Sequence, residues 1–380
     1  MMSFKKINAW FHLWFGLASG IVVFILGITG CAIVFKDEIK SLTQPWLHAA
    51  RPADGKLLPP SVLVNSLQKQ VPGKHIESVW YHGENRTAHF NIHESDSIAF
   101  VNPYTAEVVA LVDHEDAFHF FEDGHYYLWL PREIGHQVAG WGTLIFFLLL
   151  ISGLILWWPK KWNKRNRDQG FKIKWNAKFK RLNYDLHNVL GFYSLIVAII
   201  FAFTGLMMSF AWFNKGVYWL AGGENKPRIQ AVSDTTTNLK TDLMMQVDKA
   251  WHKGIYELAE QRPFDILMHF PETPSEAIYV CTDMYNGTWR DVYLDQYTLA
   301  ELPASQKRVR DEDFASWIRR YNYGLHVGLY GGITIKIIYF IVSLICASLP
   351  VTGFYIWWGR RRKKKSIVPR KRKELEVTTA

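Results

Sequence analysis

The sequence predicts a membrane protein, mainly α, in which four transmembrane helices in a duplicated arrangement carry α+β parts outside the cytoplasm. Three observations predict it. Four apolar runs, 11–35, 138–158, 189–213 and 337–358, are each long enough to cross a bilayer core. Tryptophans gather at or near their ends, as Trp10, Trp14, Trp141, Trp157, Trp158, Trp212, Trp357 and Trp358, where amphipathic rings prefer to lie. The basic residues are segregated: ten fall between Lys160 and Arg181, ten between Arg360 and Lys373, and Lys5 and Lys6 precede the first run.

Those three basic segments flank the same ends of the runs, so the positive-inside rule places them, with both termini, in the cytoplasm. The net charge of +10 is therefore a membrane-orienting charge with lipid as its partner. No nucleic acid is implied, because the external segments hold nearly all the acids and no basic recognition module. Of the three cysteines, Cys31 and Cys346 lie inside apolar runs and Cys281 stands apart, which supports no disulfide framework. Ile28-Thr29-Gly30-Cys31 faintly resembles a lipoprotein processing site, but the apolar run is too long for a signal core and continues past the cysteine to Phe35. The first helix is read as retained.

In order, 1–10 is a cytoplasmic N-terminus and 11–35 the first transmembrane helix. The first external part, 36–135, opens with a helical extension to about Pro45. After a breaker-rich connection, 61–70 has apolar residues at Val62, Leu63, Val64 and Leu67 and reads as an amphipathic helix stopped by Pro72-Gly73. Alternating segments 76–82, 87–93, 98–101 and 108–112 read as antiparallel strands. The second transmembrane helix is 136–158, a basic cytoplasmic loop 159–186, and the third helix 187–213. The second external part, 214–330, repeats the order, with a helix over 239–261 and strands over 264–270, 277–282 and 290–294. Helix 331–358 and a basic tail, 359–380, complete the chain. An even number of spans separates the halves, so the copies are parallel and matching residues lie at equal depth.

Matched histidines give the pattern its chemistry. His12 is followed by Gly16 and by Thr29-Gly30; His187 is followed by Gly191 and by Thr204-Gly205, with offsets of 4 and 17 in both cases. Ser152-Gly153 and Thr352-Gly353 precede Trp-Trp at an offset of 200. An imidazole in an apolar span is a functional candidate by default. The bland reading of His12 and His187 is an interfacial ring bonded to a headgroup or carbonyl. The sharper one is axial ligation of one haem iron from opposite sides, with Gly16 and Gly191 clearing space for the macrocycle. At the outer side, His136 has Gly140 four residues on, and His326 and His125 precede spans. Two of these three could hold a second haem. The glycine favours His136 with His326, while His125 rivals His136 as the duplication partner of His326. The two histidine layers would stand ~25 Å apart, from ~17 residues at ~1.5 Å each. Lys5, Lys6, Arg181, Arg132, Arg319 and Arg320 are candidates for the haem propionates. The remaining histidines read as solvated or core residues, and the run His114, Glu115, Asp116 and His119, though spaced for zinc, reads as polar surface.

The His-x3-Gly openings, the Thr-Gly pairs, the terminal Trp-Trp with basic residues and the paired external parts resemble the PepSY-associated transmembrane proteins over about residues 5 to 365. By that resemblance the external parts are two PepSY-like periplasmic domains, and His12, His187, His326 and His125 match the family's histidines. His136 stands where the family commonly has a basic residue. The family's Asp-Pro-x-Gly turn is replaced by Asn102-Pro103-Tyr104-Thr105 and Asp295-Gln296-Tyr297-Thr298, both without the glycine. The resemblance implies a bacterial inner-membrane oxidoreductase with two b-type haems that reduces ferric siderophores in the periplasm. Its electrons would come from a cytoplasmic donor or the quinol pool. The alternative is a haem-free PepSY-type binding or regulatory protein. Transport is disfavoured, because it would call for charged residues deep in the spans, whereas Lys336 lies at an edge and none is central. The short cytoplasmic segments carry no Gly-rich dinucleotide fingerprint, so any flavin or nicotinamide would belong to a partner.

Overall fold

A computed structural model describes residues 3–365 apart from 94, 114, 225–228, 237–241 and 285–286. Four helical rods, Phe4–Thr43, Arg132–Trp157, Phe179–Ser209 and Leu329–Arg361, are long and apolar enough to cross a membrane. Their bounds run beyond the apolar runs because polar residues extend the helices at both ends.

In chain order the elements are α1 (Phe4–Ile33), α2 (Lys36–Thr43), α3 (Pro60–Gln70), β1 (Ile76–His82), β2 (Ala88–Ile92), β3 (Ser97–Val101), β4 (Val108–Asp113), α4 (Ala117–Tyr127) and α5 (Arg132–Trp157). They continue as α6 (Lys164–Phe171), α7 (Phe179–Asp185), α8 (Gly191–Ser209), α9 (Ala211–Leu220), α10 (Leu243–Lys253), β5 (Asp265–His269), β6 (Ile278–Thr282), β7 (Arg290–Leu294), α11 (Phe314–Val327) and α12 (Gly332–Lys365). One π-helical turn, Leu186–Leu190, joins α7 to α8 without breaking the rod.

The bundle closes as a square: α1 packs on α5 and α12, and α8 packs on α5 and α12. Apolar lipid tails cannot drive helices together, so close backbone approach must do so. Small residues mark these crossings. A Cβ on Gly27 would stand 2.9 Å from the Ala347 Cβ, and one on Gly142 would stand 2.5 Å from Val22 Cγ1. Ile21 and Ile196, 66% and 74% exposed, point outward to where lipid would lie.

The external strands form a single seven-stranded antiparallel sheet in the order β4-β3-β2-β1-β5-β6-β7. Two separate external parts were expected; instead β1 pairs with β5, from Ser78 opposite His269 to His82 opposite Asp265. The physical reason is edge satisfaction. Each set of strands alone would leave β1 or β5 with a row of unpaired N–H and C=O groups, and pairing them removes both edges. One core follows. Leu63 and Leu67 of α3 and Val247, Ala250 and Trp251 of α10 pack on Val79, Tyr81, Phe90, Ile266, Met268 and Val280.

Two helices that the sequence reading did not assign connect this sheet to the bundle. α4 starts at Asp116, whose carboxylate accepts from the Phe118 and His119 amides; α11 starts at Asp313, which accepts from the Ser316 amide. Both end abruptly, α4 at Leu128 and Trp129, each at φ 55°, and α11 at Gly328, at φ 77°. The chain therefore doubles back into α5 and α12, and α4 is laid against α1 while α11 is laid against α8. Ion pairs from Lys36 to Glu122 and Lys40 to Asp116 fasten α2 to α4, and Lys336 binds Glu38 through both carboxylate oxygens at 2.7 and 2.9 Å.

Candidate functional site

Four imidazoles reach into the bundle as two facing pairs. His12 of α1 and His187 of the π-helical turn stand with ring centroids 6.4 Å apart at an interplanar angle of 89°. A π-helical turn inside an α-helical rod is a frequent mark of a functional position. His125 of α4 and His326 of α11 stand 6.2 Å apart at 57°. The reversal of chain direction after α4 and α11 turns these two rings inward.

Each ring is held in the same way, by a hydroxyl on a neighbouring helix. Nδ1 of His12 lies 3.2 Å from Ser152 Oγ, Nδ1 of His187 lies 2.9 Å from Thr352 Oγ1, Nδ1 of His125 lies 3.1 Å from Thr29 Oγ1, and Nδ1 of His326 lies 2.7 Å from Thr204 Oγ1. The threonine hydroxyls spend their protons on their own helices: Thr29 donates to the Ile25 carbonyl, Thr204 to Ile200 and Thr352 to Ser348. Their oxygens consequently accept from the rings, so Nδ1 carries the imidazole proton and Nε2 keeps its lone pair. His125 Nδ1 also lies 3.1 Å from the Leu26 carbonyl, which can only accept and so fixes the same tautomer.

The residue after each hydroxyl is glycine, and the ring lies against it. A Cβ would stand 3.3 Å from His12 Cε1 at Gly153, 3.4 Å from His187 Cε1 at Gly353, 3.5 Å from His125 Cε1 at Gly30 and 3.6 Å from His326 Cε1 at Gly205. Any longer side chain would run into the imidazole. Four Ser/Thr-Gly pairs thus make four cradles. Burial pushes the His125 and His326 imidazoles down to about 4 and about 3, which leaves both neutral and able to donate a lone pair at neutral pH.

Residues 9–360, which include every ring and every cradle, match the family described as PepSY-associated TM region. The chain belongs to that family. Comparison with curated proteins gives no match. In this PepSY-associated transmembrane protein the outer pair differs from the one that the glycine spacing favoured. His136 is half-buried in the first turn of α5 and faces no second imidazole among the described residues; His125 occupies the position opposite His326. Gly140 is not a clearance for a ring either. A Cβ there would stand 2.8 Å from Phe210 Cζ, so the phenylalanine fills the space and the glycine serves helix packing.

Gly16 and Gly191 lie in ordinary contact, with Leu149 Cδ1 3.9 Å and Leu349 Cδ2 3.5 Å from a would-be Cβ. A cavity of about 320 Å³ opens beside His12 between Asn8, Phe11, Phe15, Leu148, Leu149 and Ser152. Several proposed propionate partners already have protein partners: Lys5 donates to the Trp158 carbonyl, Arg181 pairs with Asp185, Arg320 pairs with Glu312 and Arg319 lies 3.5 Å over the Tyr218 ring.

The remaining described histidines lie outside the two facing pairs. His82 and His89 form a half-buried pair at 2.7 Å beside Trp80, whose indole donates to Asp265. Asp116 caps α4, and His119 faces Asp123; His114 lies outside the described residues. Glu77, His93 and Glu272 cluster at the seam of the sheet, all at least partly exposed.

Sequence reasoning recorded all four Ser/Thr-Gly pairs as landmarks of the repeat and assigned them no role. The signal that would have assigned one is chemical. A buried imidazole needs a partner for Nδ1–H, and the hydroxyls of Thr29, Ser152, Thr204 and Thr352 are the ones that meet these four rings.

Proposed function

We propose that this PepSY-associated transmembrane protein is a dihaem b-type electron-transfer protein of the bacterial inner membrane. The supporting observation is the two facing imidazole pairs. A metal held between two imidazole nitrogens at ~2 Å each sets the ring centroids roughly 6 Å apart, and both pairs match this. The rings can rotate about the metal–nitrogen axis, so 89° and 57° both suit. The ligands would be His12 with His187 and His125 with His326. Haem, when bound between neutral imidazoles, supplies a one-electron Fe(III)/Fe(II) couple.

The chain's own residues do the rest. Four hydroxyls hold the Nδ1 protons and raise the basicity of Nε2. The bundle excludes water from His125 and His326. His12 and Thr29, the anchor of His125, lie on one continuous helix, so α1 sets the two layers ~25 Å apart from ~17 residues at ~1.5 Å each. Lys5, the loop 160–181 and Arg360 lie at the His12 end, and by the positive-inside rule this reading puts that end and both termini in the cytoplasm, with the sheet in the periplasm. We read the halves as a parallel duplication, its two PepSY-like parts fused through β1 and β5. On this reading a ferric siderophore is the substrate on the sheet side. Transfer of one electron converts its Fe(III) to Fe(II), which hard oxygen chelators hold weakly. The electron comes from a cytoplasmic donor or the quinol pool.

The test is to purify the protein after expression with ample haem, record oxidised and dithionite-reduced spectra and count haems. Two per chain are expected, with one lost in His12→Ala or His187→Ala and the other in His326→Ala or His125→Ala. His136→Ala should keep both. A colourless protein would overturn the reading and leave a haem-free binding or regulatory membrane protein.

A further inference from the structure

The four cradles are not identical, and the difference lies one helical turn before each histidine. Residues four apart share a helix face. Asn8 precedes His12, Asn183 precedes His187 and Asn322 precedes His326 by that interval; His125 has Phe121 there. The three asparagines make the same contact. The Asn8 side-chain amide donates to the Ser152 carbonyl at 3.1 Å, that of Asn183 to the Thr352 carbonyl at 3.0 Å, and that of Asn322 to the Thr204 carbonyl at 3.1 Å. These are the residues whose hydroxyls meet the rings of His12, His187 and His326. Asn183 and Asn322 are buried, at 6% and 7% exposure, and so is the Thr204 carbonyl contact.

Each asparagine and its histidine therefore grip one residue of the facing helix at two points, the amide at its carbonyl and the imidazole at its hydroxyl. Two points on one helix face, joined to two atoms of one residue, fix how far the helices slide and how far each rolls. A single contact fixes neither. His12 has a third tie, because Ser152 Oγ donates to Asn8 Oδ1 at 2.8 Å and so closes a ring of hydrogen bonds. His125 has its own Nδ1 contacts with Thr29 and Leu26 but no amide one turn before it, and its helix is placed instead by packing, since a Cβ on Gly124 would stand 3.0 Å from Thr29 Cγ2, and by the ion pairs of Glu122 with Lys36 and Asp116 with Lys40.

We infer that Asn8, Asn183 and Asn322 are positioning residues that set the rotation of the imidazole one turn on, and that His125 is the one ring of the four without this device. The inference rests on the haem reading for its readout. Rotation of an axial imidazole about its metal bond changes the splitting of a low-spin ferric signal, which a general loss of stability does not.

The test uses the full-length protein with its haems, followed by electron paramagnetic resonance and by potentiometric titration. Asn322→Leu should keep both haems, shift the largest g-value and the midpoint potential of one, and leave the other unchanged. Asn8→Leu and Asn183→Leu should shift the other signal, and Phe121→Leu should shift neither. Asn322→Ser serves where the leucine variant fails to accumulate. Wild-type protein without a haem signal would end the haem reading and this one together. Two wild-type signals that stay in place in the asparagine variants, or that both move in Asn322→Leu, would end this one alone.

Discussion

Replacing Thr204 by valine removes one contact from one cradle and almost nothing else. The side chains have nearly the same shape, and Thr204 is 1% exposed, so no cavity opens and no water enters. What is lost is the 2.7 Å contact with His326 Nδ1 and the 2.6 Å bond to the Ile200 carbonyl. The second loss is mild, because that carbonyl keeps its backbone partner within α8. The first removes an acceptor from the imidazole, which retains a backbone hydrogen bond at Phe201. Loss of one neutral hydrogen bond with the donor still partnered is worth about 1 kcal/mol. At 1.4 kcal/mol per decade, and on the dihaem proposal, that would weaken haem binding at the His125–His326 pair about fivefold. The assay is the rate of haem loss to an excess of a haem-scavenging protein, resolved into two phases. Valine should accelerate one phase by that factor, and Thr204→Ser should restore it. An unchanged rate, or equal acceleration of both phases, would refute the idea that the hydroxyl acts through His326.

Other perturbations separate site from scaffold. Gly353→Leu places a side chain where the Cβ already stands 3.4 Å from His187 Cε1, so the inner haem should be lost and the outer kept, as counted by reduced spectra. Gly140→Ala, whose Cβ meets Phe210, should lower stability by about 1–3 kcal/mol through overpacking with the haem count unchanged. The sheet should be acid-sensitive. Burial holds the His89 imidazole down to about 4 and the His82 imidazole well below its ordinary value, with each other and Arg86 as neighbours of His82. Between the unfolded value near 6.5 and 4 the unfolded chain binds more protons, so stability falls as pH falls, by up to about 1.4 kcal/mol per pH unit for each group. His89→Gln should flatten that slope in urea titrations read by tryptophan fluorescence, and an unchanged slope would place the proton uptake elsewhere. Finally, Glu38→Gln should destabilise more than Lys336→Met, since the glutamine leaves the Lys336 ammonium, 8% exposed at its side chain, without its carboxylate. The reverse order in thermal melts would show that the pair is not what holds α2 against α12.

What the sequence disclosed follows the range of the forces concerned. Hydropathy over some twenty residues is a local property, so the four spans were legible to within a turn or two. Strand alternation is local as well, and β1 to β7 fall where it pointed. The β1–β5 pairing is different: it joins Ser78 to His269, and no pattern near either residue announces it. The missed helices α4 and α11 carry many polar and aromatic residues, and their faces make sense only against α1 and α8.

The exchange of His136 for His125 has the same root. Spacing within one helix made Gly140 look like a clearance, but a clearance is defined by what stands opposite, and Phe210 stands there. Asn-x3-His, by contrast, is a local pattern whose partner is equally local, a hydroxyl residue followed by glycine. Three of the four inward rings satisfy both halves, and the fourth satisfies the second through Thr29-Gly30. His136 satisfies neither: Arg132 precedes it by four residues, and no hydroxyl meets its ring among the described contacts. A histidine in an apolar span is therefore best judged by the second helix that must receive its Nδ1 proton, because that proton cannot remain without an acceptor once water has been excluded.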